Sequence, residues 1–369
     1  MTAVVTHLEL SHLRMPDIRS APKRNRIGRK MFHDAVYDAG YDWSTLVYDC
    51  FYDPISDSIK LICPQILNFR ELFLEADICI DGHKVEIASI DDIARCSVIT
   101  LAPGHGNILT ITHQLFGGTL VVGRSFVDEM ADLNCVYTIS RNNRLEWIID
   151  WLRYSVEMHG LNAVVLSDNG STDYGPKQLG EAIASVQGLK RAIIVHARFP
   201  FGPPAENRPS FRSLFLQTSL AELLRMRMFA KARAVLNTDI DELFYSNSRQ
   251  SIFDATVASP EGYVRADAQW VYANDLSGDY PRHKDHAYVS ASGEPKANRK
   301  WCIVPDGPLR GRQWMTHFIG SRKDPVDPDF RMWHFRQVST NWKNTRNDDS
   351  IELERDDVLA EAMSRVYAT

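Results

Sequence analysis

Between residues 134 and 244 the sequence alternates apolar runs typical of β-strands with amphipathic runs typical of helices. The strand-like run "NCVYTIS" leads into "RNNRLEWIIDWLRYSVEMHG", whose apolar residues have helical spacing, and "NAVVLSDNGSTD" and "RAIIVHARF" follow as further strands. A second helical pattern, from Leu216 to Met228, precedes "RAVLNTDIDELF". Strands that alternate with helices favour a parallel, doubly wound sheet covered by helices. We therefore predict an α/β fold for this part of the chain.

Polar residues follow three of these strands at the point where each apolar run ends. They are Ser140 to Asn143, Asp168 to Asp173, and Asp239 to Glu242. Ligands of doubly wound sheets bind outside the carboxyl ends of the strands, so we expect the three segments to line one crevice. No G-x-G-x-x-G or G-x-x-x-x-G-K-[ST] motif follows any strand, which argues against dinucleotide and P-loop sites.

Asp239 and Asp241 stand two residues apart, directly after an apolar stretch. On an extended chain their carboxylates would point the same way and bind a hard divalent cation together with diphosphate oxygens. A turn with solvated carboxylates would give the same letters, and a plain strand-to-helix turn would explain "DNGSTD". The joint occurrence of the motifs favours the cation site.

Taken together, these motifs resemble those of family 2-like glycosyltransferases with the GT-A fold, and most closely the branch akin to family 92. The likeness rests on "VYTISRNNRLEWIIDWLRYSVEMHGLNAVVLSDNGSTD" followed by "VLNTDIDELF". The branch has Asn-Glu where this chain has Asn142-Asn143, and Phe where it has Leu243. Downstream, "RKWCIVPDGPLRGRQWMTHFI" resembles the family's lysine-containing strand that ends in His. The string "MWHFRQVSTNWK" resembles its His-Tyr-Arg element.

The resemblance implies transfer of a sugar from a nucleoside diphosphate donor to a hydroxyl of a saccharide or glycolipid, with inversion, in polysaccharide assembly. It implies Mn²⁺ or Mg²⁺ as cofactor, and we expect Glu242 to support the metal ligands rather than bind the ion. His334 is the first choice to complete the metal shell, although a histidine on an apolar strand is as often a core residue. The implied metal ligands are Asp239, Asp241, His334 and His317. The implied contacts to the nucleotide sugar are Ser140, Arg141, Asn142, Asp168, Asn169, Gly170, Asp239 and Lys300.

Further roles follow from the same resemblance. The base that removes the acceptor proton is Asp306 or Asp267, and the sequence does not decide between them. Arg299 or Arg336 would add positive charge near the diphosphate. Trp270 and Tyr272 either stack on an acceptor sugar or pair in the core.

We predict that the whole chain divides into four regions. They are a basic arm (1–43), a β-rich sandwich or barrel (44–130), the GT-A domain (131–345) and a helical tail (346–369). The Asp81-Gly82 step between two strand-like runs predicts a hairpin. The basic stretch "RSAPKRNRIGRK" is either a solvated linker or a contact to an anionic membrane surface.

Net charge and cysteine spacing limit the kinds of binding partner and the cellular compartment that we expect. The chain has 369 residues and a net charge of -5, so no overall basic field would recruit nucleic acid. Its six cysteines lack metal-like spacing, which indicates free thiols in a reducing compartment. The N-terminus does not suit a signal peptide. We expect a cytoplasmic protein, with peripheral membrane contact limited to the basic arm.

Two other functions remain open at this stage. A sugar nucleotidyltransferase would also use an α/β sheet and acidic metal ligands, but its glycine- and lysine-rich N-terminal signature is absent from the sequence. A catalytically silent carbohydrate-binding protein would keep the sheet and use the carboxylates only to cap strands.

Overall fold

The structure is a computed structural model that describes residues 2–28, 33–202, 215–273, 280–293, 297–320, 326–338 and 351–367. Its strands are β1 (Val4–Glu9), β2 (Leu13–Arg14), β3 (Thr45–Val47), β4 (Asp49–Asp53), β5 (Ser58–Pro64), β6 (Asp77–Ile80), β7 (His83–Lys84), β8 (Ile87–Ile93), β9 (Cys96–Leu101), β10 (Ile108–Thr112), β11 (Gly117–Val121), β12 (Asn134–Ser140), β13 (Ala163–Asp168), β14 (Arg191–His196), β15 (Ala234–Asn237), β16 (Glu242–Ser246), β17 (Tyr263–Ala273), β18 (His286–Ser290), β19 (Lys300–Ile303), β20 (Phe330–Phe335) and β21 (Leu353–Arg355). Its helices are α1 (Ala35–Gly40), α2 (Arg70–Glu75), α3 (Leu145–His159), α4 (Pro176–Ala184), α5 (Phe215–Arg227), α6 (Ile252–Ala258) and α7 (Asp357–Tyr367).

The largest sheet runs in the order β1-β14-β13-β12-β15-β19-β17-β18-β21, and β16 and β20 join it beside β17. All pairings from β1 to β15 in this order are parallel. The carboxyl ends of β12, β13 and β15 therefore lie side by side at one edge of the sheet, which we call the carboxyl edge. The predicted α/β fold with a largely parallel sheet is confirmed, whereas its assignment to the GT-A type stays a prediction.

Alternation along the parallel strands divides the buried residues between the two faces of the sheet. Val136 and Val164 pack in one core with residues of α3, α4, α6 and α7. Their neighbours Tyr137 and Val165 pack in a second core with residues of α5. Burial on both faces explains why these strands read as nearly continuous apolar runs.

Residues 44–130 contain two four-stranded antiparallel sheets, β4-β5-β9-β8 and β11-β10-β6-β7. The two sheets share a core that includes Leu61 and Ile111. On the other face of the first sheet, Ile62 joins the core that contains α5. The predicted hairpin is confirmed, since Asp81 and Gly82 both have positive φ between β6 and β7. The domain boundaries and the sandwich or barrel assignment stay predictions.

The N-terminal segment is not the free basic arm that we predicted. β1 pairs in parallel with β14 at the edge of the large sheet. Arg24 is 1% exposed and donates hydrogen bonds to the carbonyl oxygens of Asp42, Thr45 and Gln65. Arg24, which donates to three carbonyl oxygens, is part of the folded structure. Only residues 1 and 29–32 of this region lie outside the described residues.

At the other end of the chain, α7 packs against the large sheet's first core through Leu359 and Met363. It falls within the predicted helical tail, of which residues 346–350 and 368–369 lie outside the described residues. Among the helices that the structure describes, none is both long enough and apolar enough to cross a membrane.

Candidate functional site

Two polar loops at the carboxyl edge are joined by hydrogen bonds. Asn142, which follows β12 and has a φ of 55°, donates its backbone N–H to Ser171 Oγ at 2.8 Å. Its side-chain Oδ1 accepts hydrogen bonds from the backbone N–H groups of Thr172 at 2.6 Å and Asp173 at 3.3 Å. Ser140 is buried, and Arg141 beside it is exposed. The loops after β12 and β13 thus form one fixed wall.

The predicted nucleotide contacts on β13 serve first to shape this wall. Asp168 Oδ1 accepts hydrogen bonds from Ser171 N–H at 3.1 Å and from Ser171 Oγ at 2.5 Å. Asn169 is buried and donates its amide group to the carbonyl oxygens of Ala197 and Phe199. Gly170 has a φ of 78°, a conformation that favours glycine in this turn. Their contact with a nucleotide stays a prediction.

The acidic motif after β15 is a tight turn rather than the extended segment that we predicted. β15 ends at Asn237 and β16 begins at Glu242, and the backbone N–H of Glu242 donates to the carbonyl oxygen of Asp239 at 3.1 Å. Glu242 Oε2 accepts a hydrogen bond from Asp239 N–H at 2.7 Å. Because a turn does not preserve strand alternation, Asp239 and Asp241 contact different partners.

Asp241, Glu242 and His334 form a cluster in which one ligand atom of each lies within 4.8 Å of the others. His334 on β20 lies directly opposite Glu242 on β16 in the antiparallel register. His334 Nε2 lies 3.1 Å from Asp241 Oδ2, and its Nδ1 lies 3.8 Å from Glu242 Oε1. All three residues are buried. Pairing of β16 with β20 therefore assembles the cluster.

Lys300, the first residue of β19, lies behind this cluster. Its ammonium contacts Asp239 Oδ2 at 3.1 Å and Glu242 Oε2 at 3.2 Å, and it is 1% exposed. Burial alone would lower the pKa of Lys300, but the two carboxylates outweigh it and raise the pKa above its usual value. Burial raises the pKa of Glu242, and Lys300 opposes that rise. Lys300 thus acts as a counter-ion for Glu242 and Asp239, and the carboxylate of Asp239 points toward the ammonium of Lys300.

Among the described residues, this region holds more carboxylates than cations. Lys300 contacts Asp239 and Glu242, and Asp241 contacts His334, so with a neutral histidine these contacts alone leave a negative excess. A buried negative excess is costly unless a cation or a proton compensates for it. A divalent cation at the cluster of Asp241, Glu242 and His334 would supply that compensation.

One pair of donor atoms in the cluster has the spacing that such a cation requires. Neighbouring ligands of an octahedral ion bound at about 2.1 Å lie about 3 Å apart. His334 Nε2 and Asp241 Oδ2 are separated by 3.1 Å. Carboxylate oxygens suit Mg²⁺ and Mn²⁺, and the imidazole nitrogen makes Mn²⁺ the better match of the two.

Buried hydrogen bonds fix the backbone of the acidic turn. The ring of His283, which is fully buried, donates from Nε2 to the carbonyl oxygen of Ile240 at 2.9 Å. Phe335 N–H donates to the carbonyl oxygen of Asp241 at 2.8 Å. Trp151 on α3 donates its indole N–H to Thr238 Oγ1 at 3.2 Å. The turn is therefore held from several elements before any ligand binds.

Trp270 on β17 stacks on the ring of His334, with the ring centroids 3.8 Å apart. The guanidinium of Arg336 lies 4.4 Å from the centroid of Trp270. Tyr272 is buried. One face of Trp270 packs on the ring of His334, and this contact orients the histidine ring.

His317 lies near the same edge but outside the cluster. It follows Thr316, whose carbonyl oxygen accepts a hydrogen bond from Asn237 Nδ2 at 2.8 Å at the end of β15. Burial, followed by the charge of Lys300, lowers the pKa of His317 to about 4. Glu242 belongs to the cluster and His317 does not, and the predicted role of His317 as a metal ligand stays a prediction.

The structure also separates the two candidate bases. β19 runs antiparallel to β15, so Lys300 lies at the carboxyl edge and Ile303 toward the opposite edge. Asp306 lies beyond Ile303, is largely exposed and pairs with Arg310 at 2.7 Å. This placement argues against the prediction for Asp306, because Asp306 follows the end of β19 that is farther from the acidic turn.

Asp267 lies closer to the site. It follows Ala266, which is opposite Lys300 in the pairing of β17 with β19. Its carboxylate is 58% exposed and accepts a hydrogen bond from Arg299 Nε at 2.7 Å. Its role as the base stays a prediction.

Sequence reasoning missed the part that Glu242 plays. Strand alternation placed Asp239 and Asp241 on one side and left Glu242 on the other, and that argument fails at a turn. One signal for this role was present in the sequence: Glu242 is an acidic residue directly before the next strand-like run, "LFYS". Its partner His334 lies 92 positions away, and only the pairing of β16 with β20 brings them together.

Comparison with known proteins gives a limited result. No family model matches the sequence, and no curated protein matches it. The solved structures that match include TarS from S. aureus, with 16% identity over 41% of this chain and a TM-score of 0.25. They include the mannosyltransferase Ktr4p from S. cerevisiae in complex with GDP, with 11% identity over 40% of this chain and a TM-score of 0.26. They also include the galactosyltransferase LgtC with donor and acceptor sugar analogues, with 14% identity over 64% of this chain and a TM-score of 0.31.

The share of each matched structure that this chain covers differs widely. The chain spans 23% of TarS, 45% of Ktr4p and 97% of LgtC. At TM-scores this low the likeness says nothing about function.

Proposed function

We propose that the protein is a metal-dependent glycosyltransferase that moves a sugar from a nucleoside diphosphate donor to a hydroxyl of a saccharide or glycolipid, with inversion. The observation that carries this proposal is the cluster of Asp241, Glu242 and His334 at the carboxyl edge of a largely parallel sheet. Ligands of such sheets bind at this edge. An acidic cluster at this edge is suited to bind a divalent cation that also coordinates a diphosphate. We further propose a part in polysaccharide assembly on the cytoplasmic side.

Each part of the edge has a role in this proposal. The wall formed by the loops after β12 and β13 would bind the nucleoside, with Ser140, Asp168 and the exposed Arg141 nearest to it. Asp241, Glu242 and His334 would hold Mn²⁺ or Mg²⁺, and the bound cation supplies positive charge to the leaving diphosphate. Burial raises the pKa of Glu242, and Lys300 opposes that rise and so favours the ionised form that would bind the cation.

Release of products tests this proposal without knowledge of the acceptor. The protein is incubated with a panel of UDP-, GDP- and dTDP-sugars in Mn²⁺, with water as acceptor. We expect metal-dependent release of a nucleoside diphosphate from one member of the panel and its loss in Asp241→Asn.

Two results would contradict the proposal. Release of pyrophosphate from a sugar phosphate and a nucleoside triphosphate would indicate a nucleotidyltransferase instead. Absence of any metal-dependent binding of nucleotide sugars, in protein that unfolds cooperatively, would indicate a carbohydrate-binding protein without this activity. Lys231→Ala serves as the control, since Lys231 pairs with Asp128 on the surface.

A further inference from the structure

The tautomer of His317 is fixed by its surroundings. Nδ1 lies 3.0 Å from the carbonyl oxygen of Arg299, an acceptor only, so Nδ1 carries the proton and donates it. The remaining nitrogen, Nε2, then carries a lone pair. Within the described residues Nε2 makes no hydrogen bond. His317 therefore offers a proton-accepting nitrogen in a fixed orientation.

The segment that carries His317 lies at the carboxyl edge. Thr316 bonds to the last residue of β15, and Arg299 directly precedes Lys300. The charges that act on the His317 ring are those of Lys300, Asp239 and Arg265. Burial and the charge of Lys300, which lower the pKa of His317, outweigh the carboxylate of Asp239, so the ring is neutral before the reaction and gives up the accepted proton once the product leaves.

Within the part of the chain that the structure describes, the other candidate proton acceptors are less well placed. Asp306 lies toward the opposite edge of the sheet and Asp267 accepts a hydrogen bond from Arg299. Asp241 and Glu242 belong to the cluster. Of the side chains predicted for this site, His317 combines a fixed tautomer with a nitrogen that makes no hydrogen bond.

We infer that His317 is the catalytic base of the proposed inverting transfer, with Nε2 accepting the proton of the acceptor hydroxyl. The acceptor oxygen forms a bond to the anomeric carbon as the bond from that carbon to the diphosphate oxygen breaks. The electron pair of the broken bond leaves with the nucleoside diphosphate, and the acceptor proton moves to Nε2. The imidazolium of His317 then returns the proton to solvent. This inference rests on the proposed function.

Chemical rescue tests the inference. His317→Ala is assayed for release of nucleoside diphosphate from the active nucleotide sugar in Mn²⁺, with water as acceptor and with added imidazole. General bases contribute about 10²- to 10⁴-fold, so we expect a loss in kcat of that size with Mn²⁺ affinity unchanged. We expect imidazole to restore part of the rate. His83→Ala, a change at an exposed residue of β7, controls for effects of imidazole on the wild-type site.

Each other outcome overturns the inference. A rate within about threefold of wild type in His317→Ala would exclude a base. Loss of Mn²⁺ affinity together with activity would make His317 a metal ligand, and loss without rescue by any of several imidazoles would make its role structural. If wild type releases no nucleoside diphosphate, the proposed function fails and the inference fails with it.

Discussion

At the scale of single residues, the acidic turn separates side chains that look equivalent in the sequence. Asp239 binds the buried ammonium of Lys300, whereas Asp241 binds His334. Glu242 contacts both groups, with Oε2 on Lys300 and Oε1 facing His334. The types of residue were predictable from the sequence. The division of roles among them was not predictable, because it depends on the direction in which each carboxylate points from the turn.

The first prediction concerns the relative importance of two carboxylates for the metal. Glu242→Gln should weaken Mn²⁺ binding by about 10- to 100-fold, because Glu242 belongs to the cluster. Asp239→Asn should weaken it less, because Asp239 contacts Lys300. Titration calorimetry with Mn²⁺ measures both affinities. A larger loss in Asp239→Asn than in Glu242→Gln would restore the assignment made from the sequence.

The second prediction concerns Lys300. Lys300→Met leaves the buried Glu242 and the partly buried Asp239 without their counter-ion, and we expect the free energy of unfolding to fall by about 3 to 5 kcal/mol in a metal chelator. In Mn²⁺ the loss should be smaller, since the cation then compensates for the carboxylates. Urea unfolding in both buffers gives the two values. Lys60→Met is the control, because Lys60 pairs with Asp53 away from the cluster.

An equal loss for Lys300→Met in chelator and in Mn²⁺ would contradict this account. It would show that the carboxylates near Lys300 do not interact with a bound cation.

At the scale of elements, one buried histidine joins three of them. His159, the last residue of α3, donates from Nε2 to the carbonyl oxygen of Phe244 on β16 at 2.8 Å. Its Nδ1 accepts the backbone N–H of Ile252 at the start of α6. The ring must be neutral to make both bonds, and burial lowers the pKa of His159 to about 4. This residue holds the helix against the strand that begins at Glu242.

The third prediction follows from that pKa. An unfolded histidine has a pKa of about 6.5, so between pH 6.5 and pH 4 the unfolded chain binds the proton that folded His159 does not. Stability from His159 is therefore present above pH 6.5 and is lost as pH falls. Between pH 7.5 and pH 5.0 we expect a loss of about 2 kcal/mol from this residue.

Urea unfolding at the two pH values measures that loss. His159→Gln should be less stable than wild type at pH 7.5 and should lose about 2 kcal/mol less than wild type between the two pH values. The same pH dependence in both proteins would show that His159 is not held neutral.

At the scale of the whole molecule, local patterns predicted the elements and long-range pairing determined the site. The periodicity of residues 134–244 gave the strands, helices α3 and α5, and the carboxyl edge. Periodicity could not place β1, because its partner β14 lies nearly 190 positions away along the chain. It could not reveal that Arg24 is buried either, since a basic run without apolar spacing is typical of solvated segments. Asp306 was misplaced because sequence order does not show which edge of a sheet a loop reaches.

The proposed function requires a cation at Asp241, Glu242 and His334 that binds the diphosphate of a nucleotide. Titration of UDP and of GDP into the protein, with Mn²⁺ and with a chelator, tests this directly in wild type and in Asp241→Asn. We predict that one nucleotide binds wild type at least tenfold more tightly in Mn²⁺, and that Asp241→Asn abolishes this dependence without unfolding the protein. Nucleotide binding of equal affinity with and without Mn²⁺ in wild type would contradict the account.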